Sequence, residues 1–155
     1  MILYYTWKQK TKTIAECLAN VLNYPAIELK TQLNGKKNFA FMFNALKLTF
    51  TNKTFPVDNI PQTFPQEIYV CSPIWGGKIA APTKHFLENA QLHNVKVNLI
   101  LTANTPTERY FLTAKDYLDK ISCTSGDIKL FATSDKIKPD PEVMIEQFTE
   151  MFSNR

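Results

Sequence analysis

The stretch from residue 67 to residue 88 restricts most strongly how this chain can fold. Ile68 to Cys71 is short, largely apolar and bounded by turn-forming residues, as is typical of a strand buried on both faces of a parallel sheet. It leads through residues 72–77, with the sequence SPIWGG, into a segment that has Pro82 near its start. Proline is favoured in the first turn of a helix, so this stretch predicts a strand, a loop and a helix in immediate succession.

The loop between this strand and this helix has the residue types of a binding edge. Pro73 lacks an N–H group, Gly76 and Gly77 allow close backbone approach, and Trp75 offers a stacking surface. In open α/β sheets, ligands bind at the carboxyl ends of the strands. The loop therefore predicts a site for a flat aromatic ligand, although Trp75 could instead fill a groove or a partner interface, and the two glycines could simply turn the chain.

The rest of the chain alternates between strand-like and helix-like segments, which favours a three-layer α/β/α sandwich around a five-stranded parallel sheet. We expect one domain over residues 1–155. Strands are predicted at 2–5, 26–30, 68–71, 95–101 and 127–132. Helices are predicted after residue 11, over 36–50, from about 81, from 105–108 and from 140–141, with an irregular connection over 51–66.

The last two helices carry start signals and apolar stripes. The Thr105 to Glu108 segment has a capping-box spacing with Pro106 at the first helical position, and Asp140 precedes Pro141 in the same manner. Apolar residues at helical spacing are expected to face the core. These are Tyr110, Phe111, Ala114, Leu118 and Ile121 in the first helix, and Met144, Ile145, Phe148, Met151 and Phe152 in the second.

Composition excludes several classes of protein. A hydrophobic content of 45% argues against disorder, and no apolar run is long enough to span a bilayer. Met1 runs directly into a strand-like segment without the features of a leader, so we expect a cytoplasmic protein that does not associate with membranes. The net charge is +4, but the lysines are scattered, which does not favour nucleic-acid binding. Cys17, Cys71 and Cys123 fit neither zinc-site spacing nor a disulfide framework, so buried thiols are expected.

The first loop, residues 6–11 with the sequence TWKQKT, has the features of a phosphate site. It leads from a strand into a helix N-terminus, where unpaired backbone N–H groups and the helix dipole favour an anion. Thr6 and Thr11 can add hydroxyl donors, and Lys8, Lys10 and Lys12 add positive charge. The alternative interpretation is that the two threonines are no more than a strand end and a helix cap.

Laid out in this order, the chain resembles the flavodoxin-like family over nearly its whole length. The resemblance is strongest in residues 71–88, CSPIWGGKIAAPTKHFLE, and 95–105, VKVNLILTANT, and weaker in residues 2–22. It implies strand order 2-1-3-4-5 with the cofactor FMN at the switch point. By this resemblance the phosphate loop comprises Thr6, Lys8, Gln9, Lys10 and Thr11, the first isoalloxazine loop Ser72, Pro73, Ile74, Trp75, Gly76 and Gly77, and the second Thr102, Ala103 and Asn104.

The phosphate loop departs from the family pattern at two positions. The family has a glycine and an asparagine where this chain has Gln9 and Lys10. Glycine permits positive φ and a close approach of the phosphate. Gln9 is therefore expected either to adopt an unfavourable conformation or to reshape the loop.

Side-chain catalysis finds little support in the sequence. No Gly-x-Ser-x-Gly elbow surrounds Ser72, no Cys/His pair has a supporting motif, and the carboxylates are dispersed. His85 and His93 lack further ligands at metal-site spacing, and Tyr110 is expected to pack in the core. The chemistry is thus expected to be left to a cofactor.

The sequence therefore leaves two hypotheses. The first is a redox protein that binds FMN and transfers electrons to a partner protein or to a small acceptor such as a quinone. The alternative is a flavodoxin-fold binding or interaction protein that no longer binds FMN. Flavodoxins that shuttle electrons are typically acidic, and this chain is basic, so a dedicated partner or a small molecule is expected. We expect a monomer or a homodimer.

Overall fold

A computed structural model describes residues 1–32, 47–48, 51, 53–133 and 140–153. The first half contains β1 (Ile2–Tyr4), α1 (Lys10–Leu22) and β2 (Ala26–Glu28). Then follow β3 (Glu67–Trp75), β4 (Lys78–Ile79), α2 (Ala81–Asn89), β5 (Lys96–Ala103), α3 (Glu108–Leu118), β6 (Thr124–Ala132) and α4 (Pro141–Ser153). The predicted helix over 36–50 lies outside the described residues except for 47 and 48, which are helical.

The strands form one sheet in the order β2-β1-β3-β5-β6, and all pairs along this path are parallel. The short β4 is added to β3 in the antiparallel sense. When the two-residue β4 is left out and the five parallel strands are numbered in chain order, the sheet has the predicted order 2-1-3-4-5. The fold class expected from the sequence is confirmed.

Apolar side chains cover both faces of the sheet. On one face, alternate residues of β1, β3 and β5 pack with α2 and α3, which contribute Phe86 and Leu118. On the other face, the intervening residues pack with α1 and α4, which contribute Ile14 and Phe148. This two-sided burial explains why β3 lacks the polar alternation of a strand exposed on one face.

The helix boundaries and faces differ from the prediction in α3 and α4. Helix α3 is preceded by Thr107 as its N-cap, so Pro106 lies outside the helix and the predicted capping box at Thr105 is wrong. Phe111 and Ile145 were expected in the core but are 37% and 36% exposed. Helix α3 packs on β6, the last strand of the described sheet, whereas α4 packs mainly on α1 and reaches β6 through Phe148. A helix at the edge has less sheet to cover than one at the centre.

Asn98 ties three strands together inside the sheet. It is 1% exposed, its amide group donates to Glu67 Oε1 at 2.9 Å and to the Ile68 carbonyl at 3.3 Å, and its Oδ1 accepts the Asp127 N–H at 2.9 Å. The pairing of β5 with β6 shifts here, so that Gly126 and Asp127 together oppose Asn98. The side chain thus supplies a hydrogen-bond partner that the bulged backbone lacks.

The three cysteines are free, and Cys17 and Cys71 are buried as expected. Cys123 is only half-buried. Burial raises the pKa of all three thiols, which keeps them in the less reactive thiol form at neutral pH. Within the described parts of the chain, no helix is both long and apolar enough to cross a membrane.

Alkaline pH should destabilise this protein because the buried Tyr5 and the half-buried Tyr117 must ionise. Burial raises the pKa of Tyr5 and of Tyr117 above the ordinary 10.0, and Tyr117 also donates to Glu88 Oε1 at 2.8 Å. A raised pKa contributes stability that is present below pH 10 and is lost as pH rises further. Each tyrosine should remove up to about 1.4 kcal/mol of unfolding free energy per pH unit.

The measurement is urea unfolding between pH 8 and pH 12. Burial lowers the pKa of Lys84, which has the opposite effect below its ordinary 10.5, so the decline is best measured above that pH. The Tyr117→Phe variant should lose about 1 kcal/mol at neutral pH and show a shallower alkaline decline. An equally steep decline in that variant would contradict the assignment to Tyr117.

Candidate functional site

A cavity of about 440 Å³ opens at the carboxyl ends of the strands, within the size range of small-molecule sites. It lies where β1 and β3 lead to opposite sides of the sheet, which is the switch point of this topology. Three chain segments contribute most of its wall, and they come from the loop after β1, the end of β3 and the end of β5. The lining residues are Thr6, Trp7, Lys8, Lys10, Thr11, Pro73, Ile74, Trp75, Gly76, Gly77, Thr102, Ala103, Asn104, Thr105, Tyr110 and Thr133.

One end of the cavity presents buried hydroxyl groups at the N-terminus of α1. Thr6 is 5% exposed, and its Oγ1 has no hydrogen-bond partner among the described residues. Thr11 and Thr102 are also buried, and their hydroxyl oxygens lie 2.9 Å apart. One of these two hydroxyls donates to the other, which leaves one proton available. This end of the cavity therefore favours a ligand that accepts hydrogen bonds.

Gln9 adopts the left-handed conformation, with φ 64° and ψ −8°. It is the N-cap residue of α1, but its side chain makes no capping hydrogen bond. Its carbonyl accepts the Thr13 N–H at 3.1 Å and begins the helix. Of the two expected outcomes, Gln9 thus takes the unfavourable conformation, and the loop keeps the backbone course for which glycine is suited.

Substitutions at Gln9 should show this backbone strain. Gln9→Gly should leave the free energy of unfolding within about 0.5 kcal/mol of wild type, because relief of strain offsets greater freedom of the unfolded chain. Gln9→Val should destabilise by about 1–2 kcal/mol, since a β-branched residue is poorly suited to positive φ. Urea unfolding measures both. Equal stability of the glycine and valine variants would contradict a left-handed Gln9.

The opposite end of the cavity is a β-hairpin. Strand β3 continues through residues 72–75, so the loop predicted for these residues is wrong. Ile74 pairs with Ile79 and Trp75 with Lys78, and the turn consists of Gly76 and Gly77 with φ 52° and 82°. Two consecutive positive φ angles define a type I′ turn, which suits the twist of a two-residue hairpin. The glycines therefore turn the chain and also line the cavity.

Trp75 is positioned by two aromatic neighbours. Its ring centroid lies 5.6 Å from that of the buried Tyr5 at an interplanar angle of 82°. It lies 6.4 Å from that of Trp7 at 81°. Both are edge-to-face contacts. On the other side of the hairpin, the Tyr110 ring packs against the turn, 3.5 Å from the position that a Cβ atom on Gly77 would take.

The described lining of the cavity is electropositive. It includes Lys8 and Lys10 and no carboxylate. Lys8 also lies over the Trp7 ring, with its Nζ 5.7 Å from the centroid. Lys78 lines a different cavity, between the hairpin and helices α2 and α3. The charge and the exposed N-terminus of α1 together favour an anionic group.

The structure brings all the predicted site residues to this cavity except Gln9 and Ser72. Gln9 is exposed beside it, and the buried Ser72 hydroxyl donates to the Pro73 carbonyl at 3.1 Å. Thr102 and Ala103 belong to β5 and not to a loop, and the Thr102 hydroxyl is hydrogen-bonded to that of Thr11. Tyr110 was expected in the core but lines the cavity. Sequence reasoning also missed Trp7, Thr105 and Thr133.

Comparisons with solved structures place this fold. A flavoprotein from Lactobacillus acidophilus, solved in complex with FMN, is 27% identical over 83% of this chain and 90% of that one, with a TM-score of 0.66. A candidate flavoprotein from Bacteroides eggerthii is 10% identical over 98% and 96%, with a TM-score of 0.74. Oxidised flavodoxin 2 from Bacillus cereus is 13% identical over 99% and 98%, with a TM-score of 0.55. No protein-family model and no curated protein matches the chain.

The fold is that of a doubly wound α/β protein, and it has a cavity at its switch point. The neighbours with TM-scores above 0.5 include flavodoxins and flavoproteins, and their fold extends over almost the whole chain. The chain therefore has the flavodoxin-like fold.

Proposed function

We propose that this protein binds FMN in the cavity at the switch point and transfers electrons. The observation that carries the proposal is the pairing of two chemically different ends in one cavity. The unpartnered Thr6 hydroxyl, the Thr11–Thr102 hydroxyl pair and the N-terminus of α1 suit a phosphate, and the indole of Trp75 suits a flat ring. The FMN complex of the Lactobacillus acidophilus relative supports the choice of ligand.

The residues present fit the cofactor. The Thr6 hydroxyl is buried without a partner, so an acceptor oxygen on the ligand would satisfy it. Thr11 and the α1 backbone would hold the same phosphate, with Lys8 and Lys10 adding charge. Trp75 and the Gly76–Gly77 turn would bind the ring and exclude water from one face. FMN, when bound, supplies the capacity to accept and donate electrons.

Addition of FMN to the purified protein is the test. FMN should raise the melting temperature and bind about 10–100-fold more tightly than riboflavin, because charge-assisted hydrogen bonds hold the phosphate. Calorimetric titration with FMN, riboflavin and inorganic phosphate separates the contributions of the ring and the phosphate. A protein that none of the three stabilises would contradict the proposal.

The second hypothesis, a binding protein that has lost FMN, is favoured by one observation. Gln9 adopts the conformation that suits glycine and carries a side chain there. If this side chain blocks the phosphate, the wild type should fail to bind FMN and Gln9→Gly should bind it. FMN binding by the wild type would reject this hypothesis.

The charge of the cavity predicts the redox behaviour of the loaded protein. With Lys8 and Lys10 in the described lining and no carboxylate there, negative charge added to the ring is less disfavoured than in an acidic site. The potential of the second electron should therefore be comparatively high. Redox titration of the FMN-loaded protein measures it, and a strongly negative value would contradict the prediction. Lys8→Gln and Lys10→Gln together should lower it.

The electron acceptor is proposed from charge alone. A net charge of +4 does not suit the positively charged reductases that acidic flavodoxins use, so we propose an acidic partner protein or a small acceptor such as a quinone. The FMN-loaded protein is first reduced with dithionite, and its reoxidation by a soluble quinone, compared at low and high salt, tests this. The cytoplasmic location and the single domain stay predictions of the sequence.

A further inference from the structure

Trp7 links the two ends of the cavity. It lies in the phosphate loop between Thr6 and Lys8, yet its ring reaches the hairpin and meets Trp75 edge-to-face at 6.4 Å. It is half-buried and lines the cavity. A ligand with its anionic group at α1 and its ring at Trp75 must therefore extend past the Trp7 indole.

The angle between the two indoles limits how a flat ligand can contact them. The two planes are inclined at 81°, so a ring stacked parallel to Trp75 is nearly perpendicular to Trp7. Edge-to-face contact is a favoured geometry for aromatic pairs. The neighbours of Trp7 also hold it in place, because Lys8 Nζ lies 5.7 Å above its ring and Trp75 is fixed by Tyr5.

We propose that Trp7 is a second aromatic contact of the cofactor ring, which flanks the ring at right angles to Trp75 and sets its position in the cavity. This inference rests on the proposed binding of FMN. The proposal assigns Trp7 to the flavin ring, although Trp7 lies in the loop that would hold the phosphate. Because the contact is with the ring, the contribution of Trp7 to the binding free energy should be the same with and without the phosphate.

The test compares two ligands that share a ring and differ in the phosphate. Trp7→Ala should weaken both FMN and riboflavin by about the same factor, roughly 2- to 10-fold, as expected for loss of one edge-to-face contact. Trp7→Phe keeps an aromatic ring and should restore most of the affinity. Far-UV circular dichroism and thermal unfolding of the variants without ligand establish that each is folded.

A merely structural role for Trp7 gives a different result. If the indole only supports the phosphate loop, Trp7→Ala lowers the affinity for FMN and leaves the affinity for riboflavin unchanged. That outcome overturns the proposal. Unchanged affinity for both ligands overturns it as well. If Trp7→Ala does not fold, the same comparison of FMN with riboflavin in Trp7→Leu decides. Failure of the wild type to bind either ligand would overturn the proposed function itself, and this inference with it.

A spectroscopic readout is independent of affinity. The chain has two tryptophans, so Trp75→Phe leaves Trp7 as the only indole. An indole in contact with a flavin ring quenches the flavin's fluorescence. Flavin bound to Trp75→Phe should remain quenched, and flavin bound to the double variant Trp7→Phe, Trp75→Phe should become fluorescent. Because Tyr110 also lines the cavity and a phenol quenches flavins too, both variants also carry Tyr110→Phe. Equal emission from the two loaded variants would then overturn the contact.

Discussion

Asn98→Ala should lower the free energy of unfolding by about 2–4 kcal/mol, one of the two largest effects expected in this protein. The substitution removes the side-chain acceptor of the Asp127 N–H and both bonds to β3. Each lost hydrogen bond costs about 0.5–1.5 kcal/mol, and the space vacated by the Asn98 side chain, which is 1% exposed, adds to that. Urea unfolding monitored by circular dichroism gives the value.

Gly126 tests the same structure from the opposite strand. A Cβ atom there would overlap the Asn98 amide oxygen and lie 2.8 Å from the Val97 carbonyl, so Gly126→Ala should cost about 1–3 kcal/mol. The two substitutions should not be additive, because Asn98→Ala removes part of the overlap. Ser125→Ala, at the exposed neighbouring residue, loses only an exposed hydrogen bond to Asp119 Oδ1 and should cost no more than about 1 kcal/mol.

Both expectations fail if the bulge can close. If Asn98→Ala is as stable as the wild type, the Asp127 N–H has found a backbone acceptor. The bulge, in which Gly126 and Asp127 oppose residue 98, then does not need the Asn98 side chain. Amide hydrogen exchange at Asp127 distinguishes these cases, because an unsatisfied amide should exchange faster than in the wild type.

The second large effect concerns the ligand. Trp75→Ala should weaken FMN binding by about 1–3 kcal/mol, or roughly 5- to 150-fold, by analogy with the stacking of bases on aromatic side chains. The affinity for riboflavin should fall by the same factor, because the phosphate end of the cavity is unchanged. Isothermal titration calorimetry measures both affinities.

Trp75→Phe is the matched control. It keeps a ring on the hairpin, so affinity should fall by less than about fivefold. The melting temperature of each variant without ligand shows whether loss of the Tyr5 contact has disturbed the hairpin. Unchanged FMN affinity in Trp75→Ala would remove this residue from the site.

The sequence predicted the elements of the fold because each has a local cause. Helix α2 begins at Ala81 with Pro82 in its first turn, as the proline indicated, and α1 ends where Asn23 takes the left-handed conformation. Parallel strands then follow from the alternation of these elements. The positions of helices relative to the sheet are not local, which is why the exposure of Phe111 and Ile145 was missed.

The hairpin was missed because residues 72–77, which include Pro73, were taken as a loop. Strand β1 pairs with β3 only as far as Cys71, so Pro73 lies where that side of β3 has no parallel neighbour and its missing N–H is tolerated. The two-residue Gly76–Gly77 connection was the available signal, since such pairs favour type I′ turns.

Other site residues have no comparable signal in the sequence. In the sequence, Trp7 has the pattern of a loop residue and Tyr110 that of a core residue. Only the tertiary fold brings both side chains to one cavity. Thr133 could have been inferred, because it follows the fifth long strand and the carboxyl ends of parallel strands meet at one edge. Asn98 resembles an outward-facing polar residue in an alternating strand, and its burial depends on the bulge in β6.

The hairpin has a consequence for kinetics. Because Trp75 is held by backbone pairing with Lys78 and by Tyr5, its indole is already oriented before any molecule enters. Association at this end then needs no slow ordering of a loop, and its rate should rise linearly with ligand concentration in stopped-flow experiments, without a plateau from a preceding conformational step.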